Sequence, residues 1–322
     1  MEQLLKTTGA YKLLQNEGRG GEFSHAYLLL FEDKRNLRAA LKTFAKVLFH
    51  CENERTDNQR RISELIDAES FSDCLCYPAD KDKKLLVEDA EKILEESTLA
   101  PVEGGKKVFL VGDFSEANAQ TQNKLLKLLE EPPKGVIFLL GATSAFSVLT
   151  TVLSRTKKLE ILSFEQAAIT SYLRRNYQDK YDESTLELCA AASSGNVGDA
   201  CNLLEGGYYK ALLDNAFALT LSPVFKLPSI VKQVGEAIPK KELLTLLRLI
   251  FRDALLLKTS QQKHLALRLE KERLQQTADL FSLSALLYAQ EALSDAEKQT
   301  HFNAVFPQCI EVCLANIHAN NK

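Results

Sequence analysis

Long apolar runs are missing from this 322-residue sequence. No stretch approaches the roughly 18 apolar residues of a membrane-spanning helix, and the N-terminal segment lacks the uninterrupted apolar core of a secretory signal. An excess of charge of one sign is also missing, because 40 Lys and Arg residues nearly balance 43 Asp and Glu residues. No global electrostatic field draws in nucleic acid. We therefore expect a cytoplasmic chain that makes no membrane contact.

Cysteine pairs of the C-x-x-C type are absent as well. The seven cysteines form an odd, scattered set: Cys51, Cys74, Cys76, Cys189, Cys201, Cys309 and Cys313. Such a set argues against a disulfide framework and against a four-thiolate zinc site. Cys74 and Cys76 would share one face of a strand, where burial is favoured over metal ligation. We expect reduced thiols, no metal and no cofactor.

The length and the apolar pattern predict two or three compact units. In the first half, helical patterns alternate with short apolar runs at Ala26 to Phe31, Cys74 to Tyr77, Val108 to Gly112 and Val136 to Ala142. This alternation predicts an α/β domain with a parallel sheet over residues 1–163. The strand signal then fades, and glycines interrupt the helical patterns. We expect a small helical unit over residues 164–207 and a larger all-helical unit over 208–322.

The segment after the first apolar run has the order of a nucleotide-binding entrance, a strand, a loop and then a helix, but not its residues. A phosphate loop needs G-x-x-x-x-G-K-[ST], because glycines let backbone amides wrap the phosphates while the lysine and the hydroxyl meet phosphate and magnesium. Here Phe31 and Asn36 replace the glycines, Leu37 replaces the lysine and Arg38 replaces the hydroxyl residue. These replacements predict that the chain does not hydrolyse ATP.

The third apolar run lies where such proteins carry a strand that ends in an acidic pair, which holds magnesium and positions water. Gly112 and Asp113 occupy the pair, so one carboxylate is missing and the other is shortened. For Asp113 we favour a structural role, as a helix cap or loop hydrogen-bonding group, over catalysis.

Four segments then follow one another as in bacterial clamp-loader subunits: HAYLL from His25, NKLLKLLEEPP from Asn123, VIFLLGATS from Val136 and VLTTVLSRTKKLEI from Val148. Over about His25 to Ile161 the chain resembles the delta-prime family of DNA polymerase III clamp loaders, nucleotide-free members of the AAA+ class. The resemblance implies an AAA+ module over 1–163, a helical lid over 164–207 and a helical collar for oligomerisation over 208–322.

The same resemblance implies partners and a site. The partners would be clamp-loader ATPase subunits of the gamma or tau type and a delta subunit, in a hetero-oligomeric ring that loads a sliding clamp onto primed DNA. In that family an SRC motif places its arginine in the ATP site of the next subunit. Its match here is Ser154, Arg155 and Thr156, with Thr156 in place of the cysteine.

A guanidinium suits this role because it is permanently charged and planar, and can meet several γ-phosphate oxygens at once. We expect Arg155 on an exposed loop beyond the strand at Val136 to Ala142. Two departures from active relatives agree with a nucleotide-free subunit: no sensor arginine stands near Gly198, and the segment CENERTDNQRRISEL, which starts at Cys51, contains no second cysteine to build a zinc module.

Three readings of the function stay open. The chain is a non-catalytic ring subunit with a trans-acting arginine, an active AAA+ ATPase subunit of a clamp loader, or a stand-alone DNA-binding protein. For a lone loop arginine the plain alternative is a solvated charge. The lost phosphate loop counts against the ATPase, and the balanced charge offers no basic face for the third reading.

Overall fold

A computed structural model describes residues 1–103, 105–234, 240–262, 265–301 and 305–321. The chain divides into two compact units, Met1–Ser163 and Phe164–Lys322. A further division of the second unit into a lid and a collar stays a prediction.

A five-stranded sheet forms the centre of the first unit, within the described residues. Its strands are β1 (Ala26–Leu30), β2 (Cys74–Tyr77), β3 (Lys107–Asp113), β4 (Val136–Ala142) and β5 (Lys157–Glu160). The spatial order is β2, β3, β4, β1, β5, and every neighbouring pair is parallel. The predicted parallel sheet is confirmed. β1 and β4 are buried along their whole length, as expected of central strands covered on both faces.

The fifth strand was not predicted from the sequence. In β5 Leu159 is buried and its three neighbours are exposed, because the strand lies at the edge of the sheet and pairs with β1 alone. A short edge strand of this kind carries no apolar run.

Helices surround the sheet of the first unit. They are α1 (Glu2–Thr7), α2 (Gly9–Gly20), α3 (Lys34–Leu48), α4 (Asp57–Asp67), α5 (Val87–Ser97), α6 (Ala119–Glu130) and α7 (Thr150–Leu153). α3 follows β1 and α6 follows β3, so both helices begin at the carboxyl edge of the parallel sheet. α6 ends before β4 and α7 ends before β5, so their last residues lie at the amino edge.

Within the described residues, the regular elements of the second unit are all helices. Its helices are α8 (Gln166–Tyr177), α9 (Glu183–Ala192), α10 (Val197–Gly206), α11 (Tyr209–Leu221), α12 (Leu227–Val234), α13 (Lys240–Lys258), α14 (Lys271–Leu280), α15 (Leu283–His301) and α16 (Phe306–Ala319). The C-cap of α10 is Gly207, whose φ of 67° is the left-handed conformation that glycine adopts easily. None of the described helices combines the length and the apolar character that a membrane span requires.

Candidate functional site

The first residues of α3 lie where a phosphate loop would hold nucleotide, and a carboxylate caps this end of the helix. Asp33 is 1% exposed, and it accepts hydrogen bonds from the Asn36 backbone N–H at 3.1 Å and from Asn36 Nδ2 at 2.7 Å. A helix N-terminus is a ready anion site because its amide groups point at the ligand. Here the chain supplies that anion itself, so an incoming phosphate would meet a like charge.

The residue at the lysine position of the loop belongs to the core. Leu37 is 3% exposed, and a Cβ on Gly141 of β4 would lie 3.1 Å from its side chain. Phe31 is buried as well, and its N–H donates to the Ala142 carbonyl at 2.9 Å, which continues the β1–β4 pairing. Neither position offers a group to a phosphate or leaves the space that a glycine would.

Arg38, at the position of the magnesium-binding hydroxyl, is committed to its own chain. Its Nε donates to Glu69 Oε1 at 2.7 Å, Nη2 pairs with the other oxygen of the same carboxylate, and Nη1 donates to the Pro78 carbonyl at 2.8 Å. This bidentate pair raises the pKa of Arg38 and lowers the pKa of Glu69. The side chain therefore fastens α3 to the segments that flank β2.

A cleft of about 400 Å³ remains beside these residues, and charges of both signs line it. The cations include Lys34 and Lys81, and the carboxylates include Asp82 and Glu116. Lys34 forms an ion pair with Glu116 across the cleft. In total the lining holds five cationic side chains and three carboxylates. Lys34 and Arg38 are already paired with Glu116 and Glu69, so part of the positive field that a nucleotide triphosphate needs is neutralised.

The lone carboxylate at the end of β3 serves the fold. Asp113 accepts hydrogen bonds from the Thr143 N–H at 3.1 Å, from Thr143 Oγ1 at 2.7 Å and from the Ser115 N–H at 3.2 Å. These bonds connect the ends of β3 and β4 and cap a short turn of 3₁₀ helix. These contacts agree with the structural role predicted for Asp113, a helix cap and a hydrogen-bonding group of the loop.

Arg155 lies in the turn between α7 and β5, beyond β4 on the chain as predicted. Its guanidinium folds back onto its own unit, which leaves the side chain 34% exposed rather than free in solvent. Nη1 donates to the Thr151 carbonyl at 2.8 Å and to Ser154 Oγ at 3.2 Å. Nη2 forms an ion pair with Glu130 Oε1 at 2.6 Å.

The two neighbours of Arg155 close the end of α7. The Ser154 hydroxyl donates to the Thr151 carbonyl at 3.1 Å, and the Thr156 hydroxyl donates to the Val152 carbonyl at 3.0 Å. Helix ends need such partners for their last carbonyls. A hydroxyl is a stronger donor than the thiol of the family cysteine, so Thr156 preserves this turn.

The N-terminus of α3 and Arg155 lie at opposite ends of the strands, α3 at the carboxyl ends and Arg155 at the amino ends. α3 begins after the last residue of β1, whereas Arg155 precedes Lys157, which pairs with Tyr27 near the start of β1. A five-residue strand separates the two edges by about 16 Å. Arg155 therefore cannot act on the phosphate position of its own chain.

Other residues singled out in the sequence have local roles. Gly198, near which the sequence lacks a sensor arginine, lies buried in the first turn of α10. Among the described residues, no group of three or more His, Cys, Asp and Glu side chains could hold a metal ion. Burial raises the pKa of the Cys51 thiol to about 12 and of Cys76 to about 11.

Two functional contacts were missed in the sequence. Asp33 precedes a helical pattern, and that place predicts an N-cap, so a signal for it was present. The pair of Arg155 with Glu130 has no sequence signal, because it depends on how α6 and α7 pack together.

Comparison with known proteins adds a family relationship. Residues 6–165 match the model of a family described as DNA polymerase III, delta subunit. The chain is 30% identical over 200 residues to the DNA polymerase III subunit tau of Bacillus subtilis (strain 168), which covers 60% of this chain and 35% of that protein. It is 30% identical over 191 residues to the DNA polymerase III subunit gamma of Buchnera aphidicola subsp. Acyrthosiphon pisum, which covers 58% of this chain and 52% of that protein. The chain thus spans about half or less of the length of these relatives.

Among solved structures, the chain is similar to a DNA polymerase III gamma subunit-related protein from Thermotoga maritima, with 16% identity and a TM-score of 0.43 over 96% of this chain and 99% of that one. It is also similar to a mutant form of RuvB from Thermotoga maritima, with 17% identity and a TM-score of 0.40 over 66% of this chain and 62% of that one. Both overall superpositions are loose, so the relationship rests on the sequence matches.

Proposed function

We propose that this chain is a delta-prime-like clamp-loader subunit that does not hydrolyse ATP. The proposal is supported by the match of residues 6–165 to the family described as DNA polymerase III, delta subunit, and by the similarity to tau and gamma subunits. In this proposal it is an AAA+ subunit of a hetero-oligomeric ring and supplies Arg155 to the ATP site of a neighbouring ATPase subunit. The ring loads a sliding clamp onto primed DNA.

The conversion of the phosphate position into ordinary core and surface carries the first half of this proposal. Asp33 fills the helix N-terminus, Leu37 packs against β4, and Arg38 is paired with Glu69. Loss of a single transition-state donor costs about 10²–10³ in rate in well-studied enzymes. Here the glycines, the lysine and the hydroxyl are lost together, which ranks an active ATPase behind a non-hydrolysing subunit.

The distance between the two ends of the strands supports a role of Arg155 in another subunit's ATP site. Arg155 lies at the amino edge, about 16 Å from its own phosphate position, so nucleotide can reach it only from another chain. Its planar fork suits a γ-phosphate, on which negative charge shifts during hydrolysis.

A surface on the second unit supports assembly with partner subunits. Leu283 and Leu287 lie one turn apart on α15, and their side chains are 46% and 54% exposed. Exposed leucines at helical spacing suit packing against an equivalent helix. We assign this face to contacts with gamma- or tau-like ATPase subunits and with a delta subunit.

The test of the arginine is the ATPase of rings assembled with this chain. Arg155→Ala should leave the chain folded and assembled, because the side chain lies at the surface. Hydrolysis at the adjoining site should fall, since an arginine finger is worth about 10³–10⁵ in kcat. The total rate should fall only partially, because the other sites keep their own fingers. Arg155→Lys should rescue poorly, because an ammonium lacks the planar fork.

A matched control removes a nearby surface cation without touching the finger. Lys158 is exposed in β5 and pairs with Glu160, so Lys158→Ala should leave the ring's ATPase unchanged. DNA- and clamp-stimulated ATPase is compared at equal ring concentration. Equal rates for the wild-type and Arg155→Ala rings would remove the finger and leave the chain a scaffold.

A further inference from the structure

Among the described residues, Glu130 supplies the carboxylate that pairs with Arg155. The two atoms in contact, Arg155 Nη2 and Glu130 Oε1, are 2.6 Å apart. The side chain of Glu130 is 47% exposed and that of Arg155 is 34% exposed. The pair is thus strong in geometry but open to solvent, so it can separate without any change in the core.

The paired arrangement prevents the guanidinium from serving another chain. Nη1 is turned back to the Thr151 carbonyl while Nη2 meets Glu130. A phosphate that approached the fork in this state would meet a carboxylate in direct contact with it, and two like charges at such a distance repel. Arg155 must therefore leave Glu130 before it can bind a γ-phosphate.

The position of Glu130 is unfavourable for its own helix. It is the last residue of α6, and Glu131 follows it as the C-cap. The C-terminal end of a helix carries partial negative charge, so an acidic residue there lowers the stability of the helix. The cation of Arg155 offsets this local repulsion. The same two residues thus stabilise each other only while Arg155 is folded back.

We propose that Glu130 is a positioning residue that holds Arg155 away from the neighbouring ATP site until nucleotide displaces it. The inference rests on the proposed role of Arg155. A γ-phosphate displaces Glu130 from Arg155 because it carries more charge than a carboxylate and accepts hydrogen bonds from both arms of the guanidinium fork. Glu130 then sets the ATP concentration at which Arg155 engages, and leaves the rate after engagement unchanged.

The size of the effect follows from the exposure of the pair. Exposed ion pairs shift an equilibrium by about 1.4- to 5-fold. When only a fraction of the arginines is free to engage, the apparent affinity for nucleotide falls by that fraction. Removal of the Glu130 charge should therefore lower the half-saturating ATP concentration by up to about five-fold, and the plateau rate should not change.

The experiment isolates the part of the ATPase that depends on Arg155. Rings are assembled from the partner ATPase subunits and each variant of this chain, and the rate of the Arg155→Ala ring is subtracted at every Mg·ATP concentration. Glu130→Gln should shift this difference curve to lower ATP concentration with the same plateau. Glu131→Gln removes the same charge one residue away and should leave the curve unchanged. Added salt should shrink the difference between wild type and Glu130→Gln, since screening weakens exposed pairs.

Three results would overturn the inference. Equal curves for Glu130→Gln and Glu131→Gln would show that the pair does not restrain Arg155. A shift to higher ATP concentration would make Glu130 a support for the bound arginine. If Glu130→Gln has an effect of the same size in a chain that also carries Arg155→Ala, the effect does not act through Arg155. If Arg155→Ala removes no activity, the finger and the restraint fail together, whereas an active finger with no Glu130 effect overturns the restraint alone.

Discussion

Addition of Mg·ATP to the isolated chain should leave its thermal stability almost unchanged. A ligand that binds only the folded protein stabilises it by RT ln(1 + [L]/Kd). An intact phosphate loop with a Kd of about 1 µM would therefore add about 4.1 kcal/mol at about 1 mM nucleotide. For a domain of the size of the first unit, Met1–Ser163, each kcal/mol raises Tm by about 2–4 °C. Intact binding would therefore appear as a shift of about 8–16 °C in the unfolding of that unit.

The structure predicts a shift below about 2 °C, which corresponds to a Kd of about 1 mM or weaker. The carboxylate of Asp33 caps the helix end that would hold phosphate, and Leu37 is buried where a lysine would extend. The measurement is differential scanning fluorimetry with and without Mg·ATP, together with isothermal titration. A partner ATPase subunit under the same conditions shows that the assay detects binding.

Asp33→Asn separates the two causes. Asparagine caps helices as well as aspartate does, so the variant should fold, and it removes the like charge. We still expect no binding, because the Leu37 side chain and the missing glycines remain. A single-site Kd in the micromolar range for wild type, accompanied by turnover, would refute the inactive-subunit interpretation. The same Kd for Asp33→Asn alone would show that one carboxylate, rather than a dismantled loop, excludes the nucleotide.

Three further predictions follow from contacts in the two units. The side-chain amide of Gln122 is buried and forms hydrogen bonds with the carbonyls of Ala117 and Ser147 and with the Leu149 N–H. Gln122→Ala should therefore lower the free energy of unfolding by about 2–4 kcal/mol in urea denaturation. The control Gln120→Ala, on the exposed face of the same helix, should change it little. Leu287→Lys should leave the circular dichroism spectrum unchanged but weaken co-purification with the partner ATPases, and undiminished recovery would contradict the assembly face. Hydrogen bonds from Thr185 and Ser184 lower the pKa of Asp182 to about 2. The stability that Asp182 contributes is therefore present above about pH 4 and is lost as the pH falls toward 2. In a profile of Tm against pH, Asp182→Asn should reduce the fall of Tm between these pH values.

The elements that the sequence predicted best are those buried on both sides. β1 and β4 are continuous apolar runs, which the sequence shows directly. β5 was not predicted because this edge strand buries a single side chain, Leu159, and so shows no apolar run. A pattern of burial can be read from the sequence only where burial dictates the residue types.

For the candidate site, the sequence identified which groups were lost but not what replaced them. The absence of glycines and lysine is visible in the order of residues. The burial of Leu37 against Gly141 and the bidentate pair of Arg38 with Glu69 depend on packing between elements that are distant in the chain. The same holds for Arg155 and Glu130, which are brought together by the ends of α6 and α7.

The proposed function requires that one chain lacks a nucleotide site and still carries an arginine finger, and the topology is compatible with both. In a parallel sheet the loop after β1 and the turn before β5 lie at opposite edges, so different side chains support them. Asp33 and Leu37 make their contacts with α3 and β4, whereas the turn of Arg155 is held by the hydroxyls of its own neighbours and by Glu130. The contacts at the N-terminus of α3 and those of the turn therefore share no side chain. In the proposed function, a ring subunit that does not hydrolyse ATP can in this way keep the geometry that its neighbour requires.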